Sequence, residues 1–285
     1  MLRVNGIEVG VTVTGDGPAV LLLHGFPHTR RLWAEVVPHL ATRYRVITPD
    51  LRGLGASARP DGGYDAGTLA ADAEALLDAL GEPAAAVVGI DAGTPPAFLL
   101  AMRRPERVRR LVLMESLLGR LPGAEDFLAG GPPWWFGFHA VPGLAETVLA
   151  GHEAEYVDWF LQAGTQGRGV PREIRDDFVA AYTGQDALRG AFAHYRAMPV
   201  SAGQIADAVA AGRLAVPTMA IGAHPVGDAL AHQLAPVADD LVTHLVADCG
   251  HIIPLDRPDV LVPLLRSFFD LDRAGAGPRS VTGAR

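Results

Sequence analysis

Six short segments carry their apolar residues in runs rather than in alternation: 19–23, 44–48, 84–90, 108–114, 218–221 and 241–246. A strand with one wet face alternates, whereas a strand covered on both faces does not. Such runs therefore call for parallel strands sandwiched between helices. Helical patterns fill the intervals. Residues 68–80 carry an Ala/Leu stripe that stops at Gly81, and 94–104 stops at Pro105. This alternation predicts an α/β fold with a doubly wound, mostly parallel sheet. Ahead of it, Asn5-Gly6 signals a turn, residues 7–14 alternate, and Gly15-Asp16-Gly17-Pro18 breaks the pattern.

The alternation lapses between residues 118 and 212. That stretch holds three of the four Trp (Trp134, Trp135, Trp159) and helical patterns over 146–163, 172–182 and 187–196. A chain of 285 residues has room for about two domains. The expected division is a core over 1–117 and 213–273, a helical cap over 118–212, and a disordered Gly/Ser/Arg-rich tail over 274–285.

Composition removes several classes of function. Acidic residues outnumber basic ones 32 to 24, a net charge of −8, and no basic stripe is visible. Nucleic acid is therefore not an expected partner. All 24 basic residues are Arg, so Schiff-base chemistry and lysine-dependent phosphate loops are excluded. Cys249 is the one cysteine, which rules out an intramolecular disulfide and a thiolate-built metal site. The His residues show no ligand spacing, so no metal and no cofactor are expected. No apolar run reaches the ~20 residues needed to span a bilayer. The expectation is a cytoplasmic monomer or homodimer acting on a small molecule.

Gly89-Ile90-Asp91-Ala92-Gly93 follows one apolar run and opens a helix. Strand, sharp turn and helix form the setting of a nucleophile elbow, usually G-x-S-x-G, here with Asp at the centre. The glycines are expected to let the turn tighten. The bland alternative is that Asp91 caps the helix beginning at Thr94. Two further segments favour chemistry: His24-Gly25-Phe26-Pro27 after the run at 19–23, and Gly250-His251 after the last run. The order nucleophile, acid, histidine is that of α/β-hydrolases.

On these segments, with Pro49-Asp50-Leu51-Arg52-Gly53-Leu54-Gly55-Ala56-Ser57, 107–115 and Gly250-His251-Ile252-Ile253-Pro254, the chain resembles the α/β-hydrolase superfamily. Within it, the resemblance is to the epoxide-hydrolase and haloalkane-dehalogenase branch. That branch uses Asp at the elbow, which is chemically sensible. A carboxylate can displace a leaving group at sp³ carbon and form an alkyl ester. A base must then activate water against the ester, and His251 is the candidate. The resemblance implies that the backbone N–H groups of Phe26 and Ala92 form the oxyanion hole. It offers two places for the carboxylate that orients His251. Glu115 matches the first; Asp228, six residues beyond Gly222, is the alternative.

An opening epoxide leaves an alkoxide that needs a hydrogen-bond donor. By resemblance Tyr195 is one donor and Trp135 the other, though an indole N–H can only donate a bond. His139 and Tyr182 stand in reserve. His28, Trp134, Phe136, His139 and Ile252 are expected to line the substrate site, with His28 either at its mouth or on an exposed loop. A Trp-plus-Tyr pair on this core resembles the epoxide hydrolases of kinamycin- and lomaiviticin-type aromatic polyketide pathways, which implies a bulky polycyclic epoxide and a vicinal diol product. The chain departs from dehalogenases at the elbow: Ala92 replaces the halide-binding Trp, and Ala92 and Pro95 replace the Arg pair of fluoroacetate dehalogenases. His24, Asp50 and Arg52 read as loop-holding residues and Cys249 as a small buried neighbour of His251. The alternatives are a dehalogenase working through the same Asp91 ester, or a hydrolase-fold binding protein without turnover.

Overall fold

In the computed structural model, which describes residues 1–274, the apolar runs become the body of one seven-stranded sheet. β1 (Leu2–Val4) and β2 (Ile7–Val9) form a separate antiparallel pair across the Asn5-Gly6 turn. β3 (Val11–Thr14) then joins the main sheet. The alternating stretch 7–14 is thus split between two sheets at Gly10. A Cβ there would press within 2.9 Å of the Asp50 carboxylate, so only glycine lets the chain bend past it.

The main elements follow in order. They are β4 (Ala19–Leu23), α1 (Val37–Leu40), β5 (Arg45–Pro49), α2 (Ala66–Ala79), β6 (Ala85–Ile90), α3 (Thr94–Arg103) and β7 (Val108–Met114). After a long interval come β8 (Thr218–Gly222), α9 (Ala229–Leu234), β9 (Leu241–Leu245), α10 (Ile253–Asp256) and α11 (Pro258–Ala274). The strand order is β3-β5-β4-β6-β7-β8-β9; β3 is antiparallel to β5 and the other pairings are parallel. Every residue of β4, β6 and β8 is buried, as strands covered on both faces require. β9 departs from that expectation. It is the sheet edge, and Leu245 is 67% exposed.

Between β7 and β8 the described chain is helical: α4 (Trp134–Ala140), α5 (Leu144–Leu149), α6 (Glu153–Gly164), α7 (Arg172–Tyr182) and α8 (Gln185–Ala211). The helix expected over 146–163 is broken near Gly151, whose φ of 83° no helix accommodates. α8 runs well past its expected end and continues through Pro199. Its second half has a task in the core. Ser201 Oγ accepts from the Ala66 N–H at 3.0 Å and Gln204 Oε1 from the Gly67 N–H at 2.8 Å. These are N–H groups that the first turn of α2 cannot satisfy itself. The tail expected from residue 274 onward lies, beyond that residue, outside the described chain.

Candidate active site

β6 and β7 are register partners through Ile90 and Met114, so the next residue on each strand, Asp91 and Glu115, leaves the sheet at the same level. Both have left-handed backbones, φ 51° and 42°. Non-glycine residues there are uncommon, and such strain costs about 1–3 kcal/mol each. The glycines of the elbow let the turn tighten, as expected, and do so by close approach rather than by a left-handed backbone. Neither Gly89 nor Gly93 has a positive φ; the left-handed residue is Asp91 itself. What the glycines provide is space. A Cβ on Gly89 would collide with the Gly93 carbonyl, and one on Gly93 with the carbonyls of Leu23 and His24. The buried Thr94 hydroxyl bonds the carbonyls of Gly89 (3.1 Å) and Met114 (3.0 Å), clamping the two strand ends together.

Asp91 does not cap α3: that helix has no side-chain cap. Its carboxylate points to the loop after β4 instead. The Phe26 N–H donates to Asp91 Oδ2 at 2.7 Å, and the Ala92 N–H bonds the same carboxylate. Gly25 is in contact, since a Cβ there would overlap the Asp91 side chain. His24 braces this loop: its Nδ1 donates to the Gly25 carbonyl (2.9 Å) and its Nε2 accepts from the Leu51 N–H (3.1 Å). Asp50 accepts from the backbone N–H groups of Arg30 and Ala56 and pairs with the Arg30 side chain. Arg52 reaches away to α2, gripping Asp72 at 2.7 and 2.8 Å. Cys249 is buried beside the Gly250-His251 turn.

Glu115 Oε1 accepts from the Ala223 N–H at 2.6 Å, and its Oε2 lies 3.1 Å from His251 Nδ1. The carboxylate on His251 is therefore Glu115. Asp228 is exposed and faces His232 at 3.5 Å. Burial pushes the Asp91 carboxyl up, against the pull of His251 and the two N–H groups. Burial disfavours a charged His251, but the Glu115 hydrogen bond and the charges of Asp91 and Glu115 outweigh it, so His251 lies above the ordinary histidine value. A carboxylate held by two N–H groups, beside a carboxylate-backed imidazole, is equipped for ester formation and base-assisted hydrolysis.

The helical insertion brings an aromatic cluster to this loop. Phe26 is ringed by Phe160 (5.1 Å), His139 (5.2 Å), Tyr182 (5.3 Å) and Tyr195 (5.6 Å), mostly edge to face. Phe136 meets Tyr195 at 5.7 Å. Burial, then Asp91, raises the Tyr195 hydroxyl well above the usual tyrosine range. Trp135 contacts Trp134, Phe136, Trp159 and Phe160 but not the Tyr195 ring. Trp134 is 55% exposed, and Ile252 packs against Gly164. Tyr182 is committed, its hydroxyl donating to the His28 carbonyl at 2.8 Å. His28 is 1% exposed, which corrects the exposed-loop alternative: α7 covers it through Phe178 and Tyr182.

Sequence reading missed Tyr156 and Phe160. Tyr156 OH lies 2.6 Å from His139 Nε2, and burial holds His139 down to about 3. The available signal was their i,i+4 spacing on α6, which puts both on one helix face. Among the described residues, no group of three or more His, Cys, Asp or Glu is arranged to hold a metal. No described helix is long and apolar enough to cross a membrane.

Residues 18–189 match the family model described as alpha/beta hydrolase fold. The chain belongs to that family. Among its relatives in the alpha/beta hydrolase fold is the soluble epoxide hydrolase of Corynebacterium sp. (strain C12), 28% identical over 93% of this chain and 95% of the relative. The fluoroacetate dehalogenase of Burkholderia sp is 29% identical over 69% of this chain and 68% of its own. Among solved structures, Cfl2 from Burkholderia cenocepacia superposes with a TM-score of 0.84 at 33% identity, covering 93% of each chain. The protein is an α/β-hydrolase enzyme similar to epoxide hydrolases and dehalogenases.

Proposed function

We propose that this enzyme hydrolyses epoxides to vicinal diols through an ester on Asp91. Asp91 Oδ1 attacks an epoxide carbon, the ring C–O bond breaks, and the alkoxide takes the proton of Tyr195 with Trp135 as a second donor. His251 then takes a proton from water, and the resulting hydroxide adds to the ester carbonyl carbon at Asp91. The charge develops on Oδ2, where the Phe26 N–H waits, with the Ala92 N–H beside the same carboxyl. One such donor is worth about 2.7–4 kcal/mol. Collapse breaks the bond between that carbon and the substrate-bearing oxygen, which leaves with the His251 proton. The proton remaining on the carboxyl restores Tyr195.

The observation that carries this reading is the 2.7 Å bond from the Phe26 N–H to Asp91 Oδ2. It holds the oxygen that must become an oxyanion, and so favours nucleophilic attack over simple helix capping.

The remaining assignments extend this reading. Residues 118–212 act as a cap over the core formed by 1–117 and 213–273. His139, Phe136 and Trp134 form the outer substrate site. The ring cluster and the small Ala92 favour a bulky, ring-bearing epoxide of the polycyclic aromatic type. No cofactor enters the scheme, and the enzyme works in the cytoplasm.

The test is His251→Gln with an aryl epoxide, followed by intact-protein mass. The expected result is an added mass equal to the substrate, and its absence overturns the ester mechanism. A second reading, a dehalogenase using the same ester, is favoured by the fluoroacetate dehalogenase relative. Halide release without any diol formation would establish it.

A further inference from the structure

Four histidines are buried among the described residues: His24, His28, His139 and His194. Three of them spend ring nitrogens on protein groups. His24 uses both, on Gly25 and Leu51; His139 uses Nε2 on Tyr156; His194 uses Nε2 on the Arg52 carbonyl at 2.8 Å. At His28 both nitrogens are buried and neither has a partner among the described residues. A neutral imidazole always presents one donor and one acceptor, so this ring offers both. Dry burial of two such groups is unfavourable, and each calls for a small polar molecule or a ligand group.

The ring is placed without using its polar atoms. Phe178 packs edge to face at 5.2 Å. The backbone is fixed on both sides: the His28 N–H donates to the Gly25 carbonyl at 3.1 Å, and the His28 carbonyl accepts from Tyr182. That same turn carries the Phe26 N–H to Asp91 and presses Gly25 against it. His28 thus sits one tight turn from the carboxylate that is esterified in the proposed reaction. Burial first, and then the charges of His251 and His24, push His28 well below the ordinary histidine value and keep the ring neutral.

We propose that His28 is a further catalytic residue, holding the water that His251 deprotonates in the second step. This rests on the ester reading given above. A water attacking the ester must be aimed, and one bond to His251 leaves it free to rotate. A second bond from its other hydrogen to a neutral His28 nitrogen fixes the oxygen toward the carbonyl carbon. His28 gains and loses no proton, and the chemical balance of the step is unchanged.

The test is rapid-quench intact mass on the wild-type enzyme, His28→Phe and His28→Gln with styrene oxide, a small aryl epoxide. It separates the rate constants for ester formation and ester hydrolysis. In His28→Phe the ratio of hydrolysis to formation is expected to fall about thirtyfold, the scale of one lost buried hydrogen bond, so the ester accumulates. His28→Gln, which keeps a donor and an acceptor, recovers most of that ratio. An unchanged ratio, or equal losses in both steps, overturns the proposal and makes His28 a substrate-binding or packing residue. If the wild-type enzyme forms no ester at all, the underlying reading fails instead. Should His28→Phe not fold, His28→Leu, which has no polar side-chain atom, carries the same measurement.

Discussion

Asp91 and Glu115 are held by backbone. Their strands are in register, N–H groups of Phe26, Ala92 and Ala223 bind their oxygens, and neighbouring glycines leave no room for drift. Tyr195, on the insertion, is held otherwise. Tyr195 is set by rings: Phe26, Phe136 and His139, the last at 4.3 Å. His139 stacks on Phe192 at 4.1 Å and touches Tyr156. Backbone amides fix position through directional hydrogen bonds; ring packing has a preferred geometry but tolerates repacking with smaller loss. In the proposed reaction the sheet therefore fixes the chemistry and the insertion fits the substrate.

That contrast makes a ranked set of predictions. Asp91→Asn should lower turnover about 10⁴-fold or more while the fold is kept, because Asn tolerates the left-handed backbone. Steady-state rates and a thermal melt check it, and retained activity breaks the contrast at its root. Glu115→Gln should cost about 10³- to 10⁴-fold. Its remaining activity carries a second signature. In the proposed reaction the base works only when neutral, so wild-type activity should rise with pH through a midpoint above the ordinary 6.5. Without the Glu115 charge, burial lowers His251, and that acid limb should move to lower pH in a kcat/KM profile. Tyr195→Phe should cost about 10²-fold, seen in the ester-forming step by rapid quench. A loss equal to that of Asp91→Asn would show that the insertion is as exacting as the sheet. Tyr182→Phe should be the mildest, costing about 1 kcal/mol in denaturant unfolding through the bond to His28.

Legibility in the sequence follows the same division. β4, β6 and β7 could be read because strands buried on both faces leave unbroken apolar runs. Asp91 and Glu115 could be placed because each directly follows such a run, whereas His251 stands six residues beyond Leu245, the end of the half-exposed edge strand β9. The insertion was harder. α4 is a helix of Trp, Phe, Gly and His, residues of modest helix propensity, formed because its rings pack on α6 and α8. α8 continues through a proline because its far half caps α2, a contact no local pattern announces. The burial of His28 depends on α7, some 150 residues away in sequence. Tyr156 bonds His139, which a linear reading does not bring to it.

The strained backbone at residue 91 also limits which mutational experiments are informative. A saturation library there is filtered for folding before it is filtered for chemistry. Asn and Gly variants should populate the soluble fraction, whereas Val, Ile and Thr variants, whose branched Cβ resists a φ of 51°, should be lost from it. Any attempt to evolve new chemistry at this elbow therefore begins with a short alphabet chosen by the chain's geometry.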